Sequence, residues 1–375
     1  MKFRPQLTLI TLLLLTSSYC LSDTYRGVLS GIHCESCKKT VVESLGNLKG
    51  VETVGLTPIT DTENYWVSVS TKGSASISAE KASAALESSE HYNISGWSKL
   101  PVAYMPVLPY EFLMEKLASG LVDIRTIVGE GDDCHDYSPT PKQVTKISKS
   151  NLIFYGDLGF EGNFFVKLGD GNKAPKQIDL LGGLKLLEGS CAACEAAKKE
   201  GHDHAHNHNH DHDELKDPHV WLSPNMLKQQ AQNLTKELKT YLGESAHGEL
   251  DSNLAALTKE LDQVDKELRE ALAPLKGQKF YVYHGAFAYF AADYGLEQVA
   301  IEIGNRKPTP KQLTKIANQA KQDNVKIVFV QPQFDQSSAK ALASAIGGEV
   351  ATLDPLEKDV VANLRKIAAA MKQVQ

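Results

Sequence analysis

Pro139-Thr140-Pro141-Lys142-Gln143-Val144-Thr145-Lys146-Ile147 returns late in the chain as Pro308-Thr309-Pro310-Lys311-Gln312-Leu313-Thr314-Lys315-Ile316. In both copies a proline-rich turn leads into a helix whose first turn holds the second proline, where a fixed φ and a missing N–H do no harm. A repeat of this kind predicts two related lobes. Between the copies, Leu250, Leu254, Leu257, Leu261, Val264, Leu268 and Leu272 step by three or four throughout. That spacing predicts one long helix, about 248–275, stopped by Pro274 and Gly277. Two similar lobes joined by one rigid helix imply a cleft between them.

Outward from the first copy, Val102–Met105 reads as a strand, Tyr110–Leu117 as a helix and Val122–Val128 as a strand. Helix 141–149 and strand 151–156 complete a βαβαβ pattern, which calls for a parallel sheet covered by helices. After the long helix, Lys279–Tyr283 opens a second α/β unit that continues through Val299–Ile303, Val325–Val330 and Glu349–Leu353. Lobe 1 is expected at about 99–245 and lobe 2 at about 277–375.

Ahead of both lobes, residues 23–98 form a smaller expected domain. Tyr25–Ile32 is a strand pattern running into a loop that holds Cys34 and Cys37. Val41, Val42, Leu45 and Leu48 then fall at helical spacing, with strands expected at Val51–Leu56 and Tyr65–Val69, a helix at Ala79–Leu86 and a strand at Tyr92–Trp97. Ser95-Gly96-Trp97-Ser98-Lys99 reads as the linker to the first lobe.

At 375 residues two or three domains are expected. Hydrophobic content of 42% with 23% charged residues is that of an ordinary globular chain, and a net charge of −6 without a basic cluster argues against nucleic acid. Lys2 and Arg4 precede an apolar run from Leu7 to Leu15, followed by Ser17, Ser18 and Ser22: a secretory leader over 1–22. The run is too short for a permanent anchor. Cys20 as a lipid-modified residue is the weaker reading, because Tyr19 is bulky for the position before it. The expected product is an exported, periplasmic protein, and Cys34, Cys37, Cys134, Cys191 and Cys194 then meet an oxidising compartment. Each Cys-x-x-Cys pair can hold metal or close as a disulfide, and spacing does not choose.

Chemistry is concentrated between Cys191 and Pro224. Cys191 and Cys194 precede His202, His204, His206, His208, His210 and His212, interleaved with Asp203, Asp211 and Asp213. Such a run cannot form an apolar core, since every imidazole would need a partner; it suits a borderline-soft divalent cation. Outside the tract, His135, His219 and His284 fall in loops expected after strands, and in open α/β sheets ligands collect at the carboxyl ends of strands.

The motifs Cys134-His135-Asp136-Tyr137-Ser138-Pro139-Thr140-Pro141, Asp217-Pro218-His219-Val220-Trp221-Leu222-Ser223-Pro224 and Tyr283-His284-Gly285-Ala286-Phe287 carry a resemblance. Pro332-Gln333-Phe334 and Thr352-Leu353-Asp354-Pro355-Leu356 add to it. Residues 100–375 resemble the solute-binding protein of a high-affinity zinc ABC importer, in the zinc/manganese-specific cluster of periplasmic binding proteins. The resemblance implies a two-lobed periplasmic binding protein fold, metal ligands at His135, His219 and His284, and a carboxylate ligand at Asp354. It implies Zn(II) as the transported ligand, a permease and its ATPase as partners, and a monomer. The histidine-rich loop 195–213 before the second ligand is typical of zinc-selective members. Three departures stand out: Cys134 where proline is common, Gln331 where glutamate often precedes Pro-Gln-Phe, and Arg306-Lys307 in a stretch that is often acidic.

The order βαββαβ with Gly31-Ile32-His33-Cys34-x-x-Cys37 and Gly50-Val51 resembles the heavy-metal-associated domain of metallochaperones, a small ferredoxin-like α+β fold. Two thiolates on one loop suit a soft ion such as Cu(I).

Three imidazoles and one carboxylate fit tetrahedral Zn(II); manganese prefers more oxygen, and copper competes on affinity. Water in place of Asp354 would leave a three-histidine site like that of a catalytic zinc; local sequence marks no general base for it, and Asp136 and Glu302 stay open for that role. Against an enzyme, the chain carries no His-Glu-x-x-His, P-loop or Gly-x-Ser-x-Gly. A metal-buffering adhesin is a third possibility. Metal binding is expected to weaken as pH falls through about 6.5, because ligating imidazoles must be neutral.

Overall fold

The computed structural model describes residues 22–374 apart from 60–61, 74, 88–90, 169–173, 189–215 and 304–305. The expected leader and the expected auxiliary ligands Cys191, Cys194 and His202–His212 lie outside the described residues.

The chain divides into two compact units, one ending at Leu100 and the other starting at Pro101. The first runs β1 (Thr24–Ser30), α1 (Glu35–Gly46), β2 (Val51–Pro58), β3 (Tyr65–Thr71), α2 (Ala79–Ala84) and β4 (Asn93–Lys99). Its sheet has the order β2-β3-β1-β4 with every neighbouring pair antiparallel. Leu29, Val41, Leu45, Val67, Val69 and Ala82 fill its core. Ser95–Lys99, expected as a linker, is the second half of β4, paired to β1. An edge strand bonded on one side keeps polar residues outward, so its composition mimics a loop.

The second unit opens with β5 (Val102–Met105), α3 (Leu108–Ala118), β6 (Asp123–Thr126), α4 (Pro141–Ile147), β7 (Leu152–Tyr155), α5 (Glu161–Leu168) and β8 (Lys176–Asp179). Then come α6 (Pro224–Leu242) and α7 (His247–Leu272). It closes with β9 (Lys279–Val282), α8 (Ala288–Tyr294), β10 (Glu297–Ala300), α9 (Pro310–Gln322), β11 (Ile327–Val330), α10 (Ser337–Ile346), β12 (Glu349–Thr352) and α11 (Val360–Met371). Two parallel sheets result, β6-β5-β7-β8 and β10-β9-β11-β12. In each the second strand lies outside the first, followed by the third and fourth. The sequence echo is thus a repeat of topology.

The echoed segments begin α4 and α9 in the same way. Thr140 accepts from the Gln143 N–H while the Gln143 side chain returns to the Thr140 N–H; Thr309 and Gln312 do the same. Each pair satisfies two donors that a helix start leaves orphaned.

Helix α7 buries Leu250, Leu257, Leu261, Val264, Leu268 and Leu272 and packs on α3, α6 and α11. At about 2 kcal/mol per buried aliphatic chain this stripe contributes on the order of 10 kcal/mol of gross burial. One continuous core runs from Val102 in lobe 1 through α7 to Phe290 and Leu364 in lobe 2. Polar contacts cross between the lobes as well. Lys358 pairs with Glu111 at 2.6 Å and Glu115 at 2.7 Å, and the Trp221 indole donates to the Pro355 carbonyl at 2.7 Å.

Candidate metal centre

His135 lies in the loop between β6 and α4, and His284 lies in the loop between β9 and α8. Among the described residues no named strand leads directly into His219. It stands just ahead of a single 3-10 turn, Val220–Leu222, that leads to the Ser223 cap of α6. Ser223 caps the helix with Pro224 in its first turn, a start signal that fixes where the His219 backbone must turn.

The three imidazoles converge. His135 Nε2 lies 3.1 Å from His284 Nε2, and His284 Nε2 lies 3.2 Å from His219 Nε2. Tetrahedral zinc with bonds of about 2.05 Å separates its ligand atoms by roughly 3.3 Å. The nitrogens therefore already stand near the separation that such an ion imposes. His219 and His284 are each 5% exposed.

The groups behind the rings fix which nitrogen faces inward. His219 Nδ1 meets Asp217 Oδ1 at 2.8 Å, and His284 Nδ1 meets Glu302 Oε1. A carboxylate partner holds the proton on Nδ1 and leaves the Nε2 lone pair free to bind metal. Asp217 Oδ1 also accepts the His219 backbone N–H at 2.9 Å, so ring and backbone are oriented by one carboxylate. Gln331 clamps the other ligand, accepting the His284 N–H at 3.1 Å and donating to the His284 carbonyl at 2.6 Å. Phe334 stacks on the His284 ring, with centroids 4.9 Å apart, and Trp221 meets His219 edge-on.

His135 is placed by backbone contacts: its N–H donates to Asp133 Oδ1 at 2.9 Å. At Gly159 a Cβ would stand 2.8 Å from the His135 carbonyl oxygen, so any larger residue there pushes this loop away. Burial, and then the His219 and His284 imidazoles, push the His135 pKa down to about 2. That direction favours the neutral imidazole, the form that can accept a cation.

Asp354 does not join this group. Among the described residues the ligand atoms of His135, His219 and His284 lie within 4.8 Å of one another, as do those of Asp133, Cys134 and His135, and neither set includes Asp354. Asp354 Oδ1 is engaged elsewhere, accepting from Gln333 Nε2 at 2.8 Å and the Leu356 N–H at 2.9 Å. Both donors meet one oxygen of the carboxylate, and neither bond occupies Oδ2. Cys34 and Cys37, expected as auxiliary thiolate ligands, are joined as a disulfide, which leaves neither sulfur as a thiolate in this state. Glu302, a candidate base by sequence, is an imidazole partner instead.

Residues 106–374 match the family model described as zinc-uptake complex component A, periplasmic (ZnuA). The chain belongs to that family. A ZnuA crystal structure is 32% identical with a TM-score of 0.64, covering 73% of this chain and 99% of its own. The zinc-bound form of a ZnuA with residues 138–173 deleted (that protein's own numbering) matches with the same identity and TM-score, over 73% of this chain and 98% of its own. Zinc-binding lipoprotein AdcA of Streptococcus pneumoniae (strain R6) is 29% identical over 266 residues, 70% of this chain. The match spans half of AdcA. These likenesses agree with the two-lobed α/β architecture of residues 101–375. Among the described residues no helix is long and apolar enough to cross a membrane.

Two functional side chains carry weak sequence signals. Asp217 could be found from Asp-x-His spacing, which lets a carboxylate turn back onto both the N–H and the ring two residues on. Glu302 touches His284 across 18 positions, a contact that only the folding of β9 beside β10 creates.

Proposed function

We propose that this chain is the periplasmic zinc-binding component of an ABC metal importer, holding Zn(II) between its lobes and delivering it to a membrane permease served by an ATPase. The observation that carries this reading is the convergence of three neutral-capable Nε2 atoms from two lobes, two of them backed by carboxylates. An all-imidazole first set favours zinc over manganese, which prefers oxygen. Copper shares the imidazole preference, so competition between the two ions belongs in the test.

Asp354 or a water is the proposed fourth ligand. His202–His212, with Cys191 and Cys194, is proposed as a weak capture tract feeding the cleft. The enzyme reading loses ground because Glu302 is engaged by His284. For the N-terminal unit, the strand order β2-β3-β1-β4 and the Cys34–Cys37 loop support a heavy-metal-associated reading, with the pair binding a soft ion only once reduced. The working form is proposed to be a monomer in the periplasm.

Metal analysis and calorimetric titration of the purified protein test the proposal. One tight zinc site is expected, lost in His135→Ala and retained when residues 195–213 are deleted. Loss of tight binding on that deletion would move the site to the tract.

A further inference from the structure

We infer that Tyr289 is a positioning residue for metal loading, whose hydroxyl ties the segment carrying His219 to the segment carrying His284 before an ion arrives. The inference rests on the zinc-site reading above. Tyr289 stands in the first turn of α8, five residues beyond His284, and is 4% exposed. Its hydroxyl donates to the Asp217 carbonyl at 2.8 Å and accepts the Leu187 N–H at 3.0 Å. The Asp217 N–H donates in turn to the Leu187 carbonyl at 3.0 Å, and Glu188 bridges Lys216 in antiparallel fashion.

Asp217 is thus fixed through its backbone N–H, its carbonyl and its side chain. Its side chain is the one that aims His219. The tie joins two ligand-bearing segments from different lobes without using a ligand atom. Such a bond lowers the ordering cost that a cation would otherwise meet on drawing the rings together. Burial pushes the Tyr289 phenol up to about 12, so it keeps its proton, and with it a donor, at neutral pH. Without the hydroxyl, Asp217 loses one of its anchors and the Nε2 of His219 loses its fixed direction.

The test uses the full chain and Tyr289→Phe, which keeps the ring and removes one oxygen. Zinc loss to a chelator and the visible spectrum of the Co(II)-substituted protein are the readouts, because a role in stability alone moves neither. The expected result is zinc loss faster by about three- to tenfold, the equivalent of one hydrogen bond, with an altered cobalt ligand field. Wild-type zinc loss with a wild-type cobalt spectrum overturns the inference, even if the melting temperature falls. Should the variant not fold, amide exchange in the wild-type metal-free protein decides. Slow exchange at Leu187 and Asp217 supports a tie made in advance of the ion, and free exchange overturns it. A wild-type chain that takes up no zinc would instead sink the proposed function, which keeps the two failures apart.

Discussion

Lobe 1 and lobe 2 share strand order and a capped helix after the second strand, yet their loops do different work. In lobe 1 the loop between the second strand and that helix supplies a ligand, His135. In lobe 2 the corresponding loop, between β10 and α9, supplies Glu302, which orients a ligand from the loop after the first strand. A duplicated scaffold holds position while its strand-end loops are free to diverge in chemistry. Of these two loops, one offers His135 through backbone contacts and the other orients His284 with a buried carboxylate, while His219, also from lobe 1, is aimed by Asp217.

The asymmetry between the lobes is most open to challenge at the ligands. His284→Ala and His135→Ala are each expected to weaken zinc by more than the ten- to hundredfold that loss of an orienting partner costs, read by competition with a chromophoric chelator. Equal losses would say that the lobes contribute alike; a surviving site in either variant would remove that histidine from the set. Next in size, Glu302→Gln is expected to cost ten- to hundredfold in affinity, because it removes the charge behind His284. Gly159→Ala tests the backbone-placed side, and zinc affinity should fall without a change at His284.

Two groups of lobe 1 respond to protons in opposite directions. His135 is held far below its ordinary value, so the unfolded chain binds a proton there that the folded chain refuses. The metal-free protein should therefore lose stability as pH falls below about 6.5. Buried Glu161 has the opposite sign. Burial outweighs the Gly156 and Leu158 N–H bonds and raises its pKa to about 7. Its folded form then keeps a proton that the unfolded form gives up, and stability falls as pH rises from about 4.5 to 7. Urea titrations across pH with His135→Asn and Glu161→Gln should flatten these opposed slopes separately. The smallest effect is at the caps, where Thr140→Ala and Thr309→Ala should each cost about 1 kcal/mol, similar in the two lobes.

Much of this is legible along the chain. The echoed Pro-Thr-Pro segments and the Leu250–Leu272 stripe announce two lobes and a linking helix, because capping chemistry and helical periodicity are local. Strand β8 gives no such signal. It is four residues long with only Ile178 buried, so it has no alternation to detect. The polar stretch Ser95–Lys99 passes for a linker for a related reason: hydrogen bonding on one edge sets its state, and composition does not record that. His135, His219 and His284 can be picked out by type and setting. Their partners cannot all be. Glu302 and Tyr289 act across distances that the β9–β10 pairing and the α8 packing create. The retention of Asp354 by Gln333 is likewise a tertiary contact invisible in motif spacing.

The apolar interior shared by both lobes and α7 has a thermodynamic corollary. Neither half can melt while the other stays intact, since each would expose the surface its neighbour leans on. Residues 101–375 should unfold in a single calorimetric endotherm whose midpoint rises with zinc concentration. Cargo release to a permease would then draw on small local strain around the rings, since swinging the halves apart would expose that common interior.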